Sequence, residues 1–204
     1  MNKNIITISR EFGSGGHSIG QSVAEALDIP FYDSAIVEQV AQESGIDKDI
    51  IAEQGEQATR TSRLFIGFTL GAGQYYENPQ DQIYRLQAGV IRRVAEDGPC
   101  VIVGRCADYI LQNAGHVTLN VFIHAPLNWR ADYILNRYGE TEVSIQKRLE
   151  KKDRSRRLYY NYYTDREWGD YRNYHLALDS SMLGRETCVQ LILQAAERLN
   201  QRVF

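Results

Sequence analysis

Apolar residues along the chain follow two alternating patterns, one of short continuous runs and one of helical spacing. The continuous runs predict strands at 5–8, 29–33, 100–103 and 117–123. The helical spacing, in which apolar residues recur every three or four positions, predicts helices at 19–27, 34–43, 82–96 and 186–203. Continuous apolar strands separated by helices indicate a parallel sheet with helices on both faces. The predicted fold class is therefore α/β.

Two regions do not follow this alternation, residues 44–81 and the polar, aromatic stretch 147–174. Ligands of open α/β sheets bind outside the carboxyl ends of the strands, so we interpret both regions as mobile or inserted pieces around a site. The chain has no internal repeat and no low-complexity linker. Its 204 residues predict a single domain over 1–204.

Composition and charge exclude several classes of protein. Hydrophobic residues make up 43% and charged residues 24%, which is ordinary for a soluble globular chain and excludes a disordered, collagen-like or disulfide-stapled protein. The net charge of −3 argues against a strongly basic nucleic-acid binder. No apolar run approaches the roughly 20 residues that span a bilayer. We therefore predict no nucleic-acid partner and no membrane partner.

The cysteines and the N-terminus predict a compartment. Cys100, Cys106 and Cys188 are odd in number and contain no CxxC pair, which favours reduced thiols over a disulfide framework. The charged start at 1–4 is followed by only four apolar residues, too few for a signal peptide. Both features predict a cytoplasmic protein.

A glycine-rich turn, Gly13-Ser14-Gly15-Gly16, joins the first strand to the first helix. The backbone N–H groups of such a turn and the positive end of the following helix create an anion site, most economically for phosphate. The alternative is a plain strand-to-helix turn that happens to be rich in glycine. A dinucleotide fingerprint GxGxxG is not met, because Ser18 stands where its last glycine is required.

The same turn departs from the Walker A pattern GxxxxGK[ST]. In one register Arg10 takes the place of the first glycine and Gly16 that of the lysine. In the other, Glu11 replaces the first glycine, Gly16 is the second, His17 stands for the lysine and Ser18 for the metal-binding hydroxyl. Both registers lack the lysine that neutralises the β- and γ-phosphates. Arg10, His17 and arginines from elsewhere must then supply the positive charge.

Arg105 follows the buried strand 100–103 directly. An arginine at the carboxyl end of a buried strand requires a partner, and its planar guanidinium suits a phosphate. A structural ion pair with Asp33 or Asp108 is the alternative.

A basic cluster lies between residues 148 and 157. Its members are Arg148, Lys151, Lys152, Arg154, Arg156 and Arg157. On a helix, Arg148, Lys152 and Arg156 share one face, as expected of a lid that closes over phosphates. The alternative is a solvated basic helix. The carboxylates that would balance such a helix are Glu150, Asp153, Asp165 and Glu167.

Aromatic side chains follow the basic cluster. They are Tyr159, Tyr160, Tyr162, Tyr163, Trp168, Tyr171 and Tyr174. Rings interleaved with arginines can stack on a nucleobase. The alternative is that they pack this segment against the core.

Five stretches of the chain, taken in order, carry a family resemblance. They are ITISREFGSGGHSIG at 6–20, IPFYDSAIV at 29–37, CVIVGRCADYIL at 100–111, KKDRSRRLYYNYYTDREWGD at 151–170 and LALDSSMLG at 176–184. The sequence resembles the cytidylate kinase-like branch of the nucleoside monophosphate kinases, P-loop enzymes that move a phosphoryl group from ATP to a nucleotide. The resemblance implies a P-loop NTPase-type three-layer fold with a helical lid at 147–174 and an acceptor-binding insertion at 44–81.

The resemblance also implies a donor site with ATP and Mg²⁺. The phosphate loop would consist of Gly13, Ser14, Gly15, Gly16, His17 and Ser18. In this assignment Ser18 is the ligand of Mg²⁺.

Further site residues follow from the same resemblance. Asp33 and Ser34 match an Asp-Ser pair in which the serine contacts the acceptor nucleotide, and Arg105 matches an arginine that holds the acceptor phosphate. Asp153 and Arg156 match the lid signature. The implied catalytic cations are Arg10, His17, Arg154, Arg156 and Arg157.

These assignments predict an ATP-dependent phosphotransferase that uses a cytidylate-like nucleoside monophosphate as acceptor. One alternative is a nucleotide-binding sensor that has lost catalysis, because the P-loop lysine is missing and Gln39 stands where an arginine is expected. Another is a kinase of a different small metabolite, for which 44–81 would decide the acceptor. The apolar segment 62–77 would line the acceptor pocket or cover a second subunit. We expect a homodimer.

Overall fold

Five parallel strands form one sheet at the centre of the protein. The computed structural model describes residues 4–54, 78–139 and 143–201. The strands are β1 (Ile5–Arg10), β2 (Phe31–Tyr32), β3 (Cys100–Val103), β4 (Thr118–His124) and β5 (Leu176–Asp179). They are ordered β2-β3-β1-β4-β5. β1 therefore lies in the middle of the sheet, paired with β3 on one side and β4 on the other.

Helices connect the strands. They are α1 (Gly16–Leu27), α2 (Ser34–Ser44), α3 (Lys48–Gln54), α4 (Pro79–Asp97), α5 (Ala107–Asn113), α6 (Leu127–Tyr138), α7 (Ile145–Thr164) and α8 (Ser180–Gln201). A short 3₁₀ helix spans Tyr171–Asn173, and α8 is kinked at Gly184. Within the described ranges, every helix is too short or too polar to cross a membrane.

The two faces of the sheet carry separate apolar cores. Ile6 and Ile8 of β1 pack with apolar residues of α1 and α8. On the other face, Ile102 of β3 packs with α2, α4 and α5. The predicted α/β class, with a parallel sheet covered by helices on both faces, is confirmed. A third, smaller cluster joins α6 and α7 around Leu149 and reaches Phe12 in the loop after β1.

Element boundaries differ from the sequence prediction in places that have local causes. The helix predicted at 82–96 begins at Pro79, because the Asn78 side chain accepts a hydrogen bond from the Gln80 N–H at 3.1 Å and proline suits the first helical position. The helix predicted at 186–203 begins at Ser180. The edge strand β5 was not predicted, because Leu178 is its one fully buried residue and the pattern is too weak.

The two regions that break the alternation contain regular structure. Residues 48–54 of the first region form α3, whereas 55–77, and with them the apolar segment 62–77, lie outside the described residues. Most of the second region belongs to α7, and Tyr159, Tyr160 and Trp168 are buried in the core beside α4 and α5. For these three rings the packing alternative is correct.

Candidate active site

The loop at 11–15 connects β1 to α1 and contains two left-handed residues. Gly13 has φ 84° and Gly15 has φ 79°, which glycine adopts without the steric cost of a side chain. Gly16 begins α1, where an added Cβ would lie 2.5 Å from Arg10 Cβ. Because the helix begins at Gly16, His17 and Ser18 lie in its first turn. This placement agrees with the register in which His17 stands for the Walker A lysine.

A cavity of about 490 Å³ opens over this first turn, and we call it the loop cavity. From the loop and α1 it is lined by Gly13, Gly15, Gly16, His17 and Ser18. The first N–H groups of a helix have no intrahelical acceptor and carry the positive end of the helix dipole. The cavity therefore offers a bound anion both hydrogen-bond donors and a favourable field.

Ser14, the remaining residue of the predicted phosphate loop, has a structural contact pattern. Its buried hydroxyl donates to the carbonyls of Glu11 at 2.9 Å and Ile123 at 3.0 Å. Its own carbonyl accepts a hydrogen bond of 2.7 Å from the Ser180 hydroxyl. These contacts direct the Ser14 side chain away from the loop cavity and anchor the loop to β4 and α8.

Asp33, which precedes α2, joins two of the predicted site residues. Its Oδ2 lies 2.6 Å from His17 Nδ1, and its Oδ1 lies 3.9 Å from Arg10 Nη2. The His17 ring also packs edge-on against Phe31, with 5.2 Å between ring centroids. The residue at the lysine position is thus held by a carboxylate at the mouth of the loop cavity, and Asp33 lines that cavity with it.

Four arginines from three elements line the loop cavity. They are Arg10 of β1, Arg137 of α6, and Arg148 and Arg156 of α7. Arg148 and Arg156 lie on the α7 face predicted from their spacing. Arg137 and its neighbour in the cavity, Tyr133, were missed, because a basic residue near the end of an amphipathic helix carries no signal in the sequence.

The other two predicted lid arginines lie elsewhere in this structure. Arg154 is on the exposed side of α7. Arg157 stacks over the Trp168 ring at 5.8 Å and lines a separate cavity with Glu167. Neither Arg154 nor Arg157 lines the loop cavity in this structure, whereas Arg156 does, and the catalytic role of all three stays a prediction.

A second, smaller cavity of about 20 Å³ lies where β1 and β3 end, and we call it the inner cavity. Three arginines line it: Arg10, Arg105 and Arg156. Arg105 is 7% exposed, so its permanent positive charge lies largely out of water. Arg10 and Arg156 line both cavities and thus stand at the boundary between them.

The turn that carries Arg105 has an unusual backbone. Gly104, Arg105 and Cys106 have φ values of 74°, 57° and 55°, three consecutive left-handed residues. Left-handed side-chain-bearing residues cost roughly 1–3 kcal/mol each and cluster at functional sites. The strained turn holds the Arg105 guanidinium at the inner cavity.

Buried acidic and phenolic groups complete the inner cavity. Burial raises the pKa of Asp108, an effect that the hydrogen bond of 2.7 Å from the Tyr160 hydroxyl partly offsets. Burial also raises the pKa of Tyr159, which the nearby charge of Arg105 opposes. The ring hydroxyls therefore remain protonated donors.

The predicted acceptor residues are divided between the two cavities. Asp33 lines the loop cavity, Arg105 lines the inner cavity, and Ser34 is exposed as the first residue of α2. Arg10 links them, because it lines both cavities and lies 3.9 Å from Asp33.

Comparison with known proteins identifies the family. The profile of the Cytidylate kinase-like family matches residues 5–182. The chain belongs to this family. Membership in the cytidylate kinase-like family supports a kinase of a nucleotide or another small metabolite, and it implies the use of a nucleotide and a divalent metal in general terms.

Full-length relatives agree with this assignment. The cytidylate kinases of Methanopyrus kandleri and Methanocaldococcus jannaschii are each 24% identical to this cytidylate kinase-like chain. The matches cover 97% of the chain in both cases, and 95% and 99% of the respective relatives.

Solved structures share the fold. An uncharacterized protein from Eubacterium ventriosum is 26% identical with a TM-score of 0.71, over 96% of this chain and 99% of that one. A gluconokinase from Sinorhizobium meliloti is 18% identical with a TM-score of 0.54, over 97% and 94% of the two chains. A shikimate kinase from Acinetobacter baumannii is 13% identical with the same TM-score of 0.54, over 98% and 96%. The fold of this family member is that of the P-loop kinases.

Proposed function

We propose that the protein transfers the γ-phosphoryl group of MgATP to a nucleoside monophosphate of the cytidylate type. The observation that carries the proposal is the pair of adjoining cavities, which share Arg10 and Arg156. In this assignment ATP places its phosphates over the first turn of α1 in the loop cavity. The acceptor places its phosphate at Arg105, for which the inner cavity, with room for about one water in this structure, has to widen.

The chemistry demanded of the protein is placement and charge neutralisation. Phosphoryl transfer involves little covalent chemistry by the enzyme, so positioned cations supply most of the rate enhancement. Arg10 and Arg156 stand at the boundary that the transferring group has to cross, and their guanidinium groups remain charged at every working pH. They are our candidates for the role of the absent P-loop lysine.

Mg²⁺ fits the donor set of the loop cavity. Ser18, Asp33 and Glu11 bring oxygen atoms to its lining, and hard cations prefer oxygen ligands. Mg²⁺ is usually held by one or two protein oxygens together with substrate phosphates, so this lining suffices. We assign Ser18 and Asp33 to hold it. When bound, Mg²⁺ would neutralise charge on the β- and γ-phosphates.

The base of the donor has a candidate platform. Tyr133 lines the loop cavity and stacks on Trp129, with 5.4 Å between ring centroids and 13° between ring planes. A nucleobase can stack on such a ring. We therefore place the base of ATP against Tyr133 of α6.

A coupled assay of ADP release from MgATP tests the proposal, with a panel of nucleoside monophosphates that begins with CMP. We expect turnover that depends on the acceptor and that falls about 100-fold or more in Arg156→Ala. Arg185→Ala is the matched control, since Arg185 is an exposed arginine of α8 that contacts Ser22 of α1 and lines neither cavity. Equal turnover of Arg156→Ala and wild type would contradict the site assignment.

One observation favours a second candidate function, a kinase of another small metabolite. Asp33 lies at the loop cavity next to His17, and a positioned carboxylate can accept the proton of an attacking hydroxyl group. A phosphate acceptor needs no such base. Turnover with hydroxyl-bearing acceptors alone, abolished in Asp33→Asn, would favour this candidate. MgATP binding by calorimetry without any turnover would favour a nucleotide sensor.

The sequence predictions of a cytoplasmic location and a homodimer accompany the proposal. Sedimentation of the purified protein tests the second, and a monomer at micromolar concentration would contradict it.

A further inference from the structure

Phe12, the residue before Gly13 of the phosphate loop, has both of its backbone polar groups held by one buried ion pair. Its N–H donates to Asp153 Oδ1 at 2.7 Å. Its carbonyl accepts from Arg130 Nη1 at 2.9 Å, and the same Nη1 lies 2.6 Å from Asp153 Oδ2. The ion pair thus binds both the N–H and the carbonyl of Phe12, a single loop residue, by hydrogen bonds.

Arg130 extends this network to the end of β4. Its Nε donates to the Ala125 carbonyl at 2.9 Å and lies 3.4 Å from Glu11 Oε2. The Ala125 N–H donates to the same Glu11 oxygen at 3.1 Å. The first two residues of the loop, Glu11 and Phe12, are therefore fixed to β4, α6 and α7 together.

The burial of the pair indicates what it contributes. The Arg130 and Asp153 side chains are 6% and 10% exposed. Desolvation offsets much of the attraction in a buried ion pair, and apolar residues of similar volume often stabilise a fold equally well. The directional hydrogen bonds to Phe12 are what apolar residues cannot replace. We therefore attribute to the pair a role in geometry more than in stability.

The two helices that supply the pair also supply arginines to the loop cavity. Asp153 and Arg156 are three residues apart on α7, about one turn, and Arg156 Nη1 donates to the Arg10 carbonyl at 3.0 Å. Arg130 and Arg137 are seven residues apart on α6, which places them on the same side of that helix. The ion pair therefore sets where both arginines stand relative to the loop.

We propose that Arg130 and Asp153 are positioning residues, a latch that holds the start of the phosphate loop and the arginines of α6 and α7 in the arrangement that phosphoryl transfer requires. Neither residue lines the loop cavity or the inner cavity. The proposal rests on the proposed function in that the loop cavity takes the phosphates of ATP.

Two conservative variants test the latch. Asp153→Asn keeps an oxygen to accept the Phe12 N–H but removes the charge, and Arg130→Lys keeps the charge but loses the planar fork. We expect each to lower kcat about 100-fold while the acceptor KM changes by less than about threefold, because a misplacement far from the chemistry acts on transfer more than on binding. The double variant should lose no more than the worse single variant. Arg185→Lys is the control with wild-type kcat.

A measurement that does not depend on turnover tests the latch independently of the proposed function. We expect hydrogen exchange over residues 11–16 to become at least tenfold faster in both variants, while exchange in β1 and β3 is unchanged. A wild-type protein without turnover on any acceptor would refute the proposed function. Hydrogen exchange would still test the latch in that case, because it does not depend on turnover. Folded variants with wild-type kcat and wild-type exchange would overturn the latch.

A paired variant covers the case in which the single variants do not fold. Arg130→Met combined with Asp153→Leu removes both charges at similar volume, so no unpaired charge is left buried. We expect this protein to fold, to bind MgATP about tenfold or more weakly in calorimetry and to lose turnover. Full turnover and full affinity in this protein would overturn the latch.

Discussion

The turns that follow β1 and β3 both contain left-handed residues but differ in which residue types adopt that conformation. Both leave the carboxyl ends of neighbouring buried strands, and both require left-handed residues. After β1 these residues are glycines, Gly13 and Gly15. After β3, Gly104 is followed by Arg105 and Cys106, which adopt φ values of 57° and 55° with side chains present.

The two turns also differ in what they bring to the neighbouring cavity. The loop at 11–15 brings its two left-handed glycines, Gly13 and Gly15, to the lining of the loop cavity. In the turn after β3 a side chain, Arg105, lines the inner cavity. Strain of roughly 1–3 kcal/mol per residue is tolerated there because the turn aims a buried guanidinium. Glycine thus provides the left-handed residues of one turn without strain, whereas the other turn accepts strain at Arg105.

The largest effect should come from filling the space at Gly16. An added Cβ would lie 2.5 Å from Arg10 Cβ, so Gly16→Ala requires a backbone shift and should cost about 3 kcal/mol of unfolding free energy. Gly15→Ala meets nothing within 4 Å and should cost about 1 kcal/mol for its left-handed φ of 79° alone. Urea denaturation measures both. Equal costs would show that the contact with Arg10 is unimportant.

Substitutions of Arg105, in the turn after β3, should lower turnover more than they lower the free energy of unfolding. Arg105→Lys removes the planar fork and should lower turnover about 100-fold, equivalent to about 2–3 kcal/mol, while the strain remains. Arg105→Asn should lose turnover equally. It should nevertheless be about 0.5–1 kcal/mol more stable than the lysine variant, because asparagine tolerates the left-handed region. Thermal unfolding and the ADP-release assay check the two parts, and a lysine variant with full turnover would contradict the role of the fork.

A smaller effect should appear at Asp108, close to the same turn, as a dependence of the free energy of unfolding on pH. Because burial raises the pKa of Asp108 in the folded state, the ionised form is disfavoured there and wild-type stability should fall as pH rises from about 4 through the folded pKa. Asp108→Asn still accepts the Tyr160 hydrogen bond but does not titrate. The stability of the variant relative to wild type should therefore increase with pH and then level off. A difference independent of pH in urea denaturation would contradict this account.

The sequence carries strong signals for these two turns and weak ones for what supports them. The apolar run Cys100–Val103 and the glycines at 13–16 predict a buried strand and an anion loop from local residues alone. The glycine pattern alone does not choose between the two Walker registers, whereas the start of α1 at Gly16 agrees with the second.

The latch residues show why the rest could not be predicted. Asp153 stands in a run of alternating charges, where the resemblance assigns it to the lid signature and the alternative of a solvated helix counts it as a balancing carboxylate. Its burial against Arg130 argues against the alternative. Its partners Arg130 and Phe12 are 23 and 141 residues away in sequence. Only the tertiary fold brings such groups together, and the local periodicity of apolar residues does not predict contacts between residues so far apart in sequence.

The central place of β1 in the sheet has a consequence for the order in which the protein is made. Ile5 pairs with Cys100 and Thr118, so β1 is synthesised well before either of its neighbouring strands exists. The loop that follows it waits still longer, until Asp153 has emerged to hold Phe12. A nascent chain on the ribosome would therefore complete its glycine-rich loop only after α7 has emerged, long after the residues of that loop were translated.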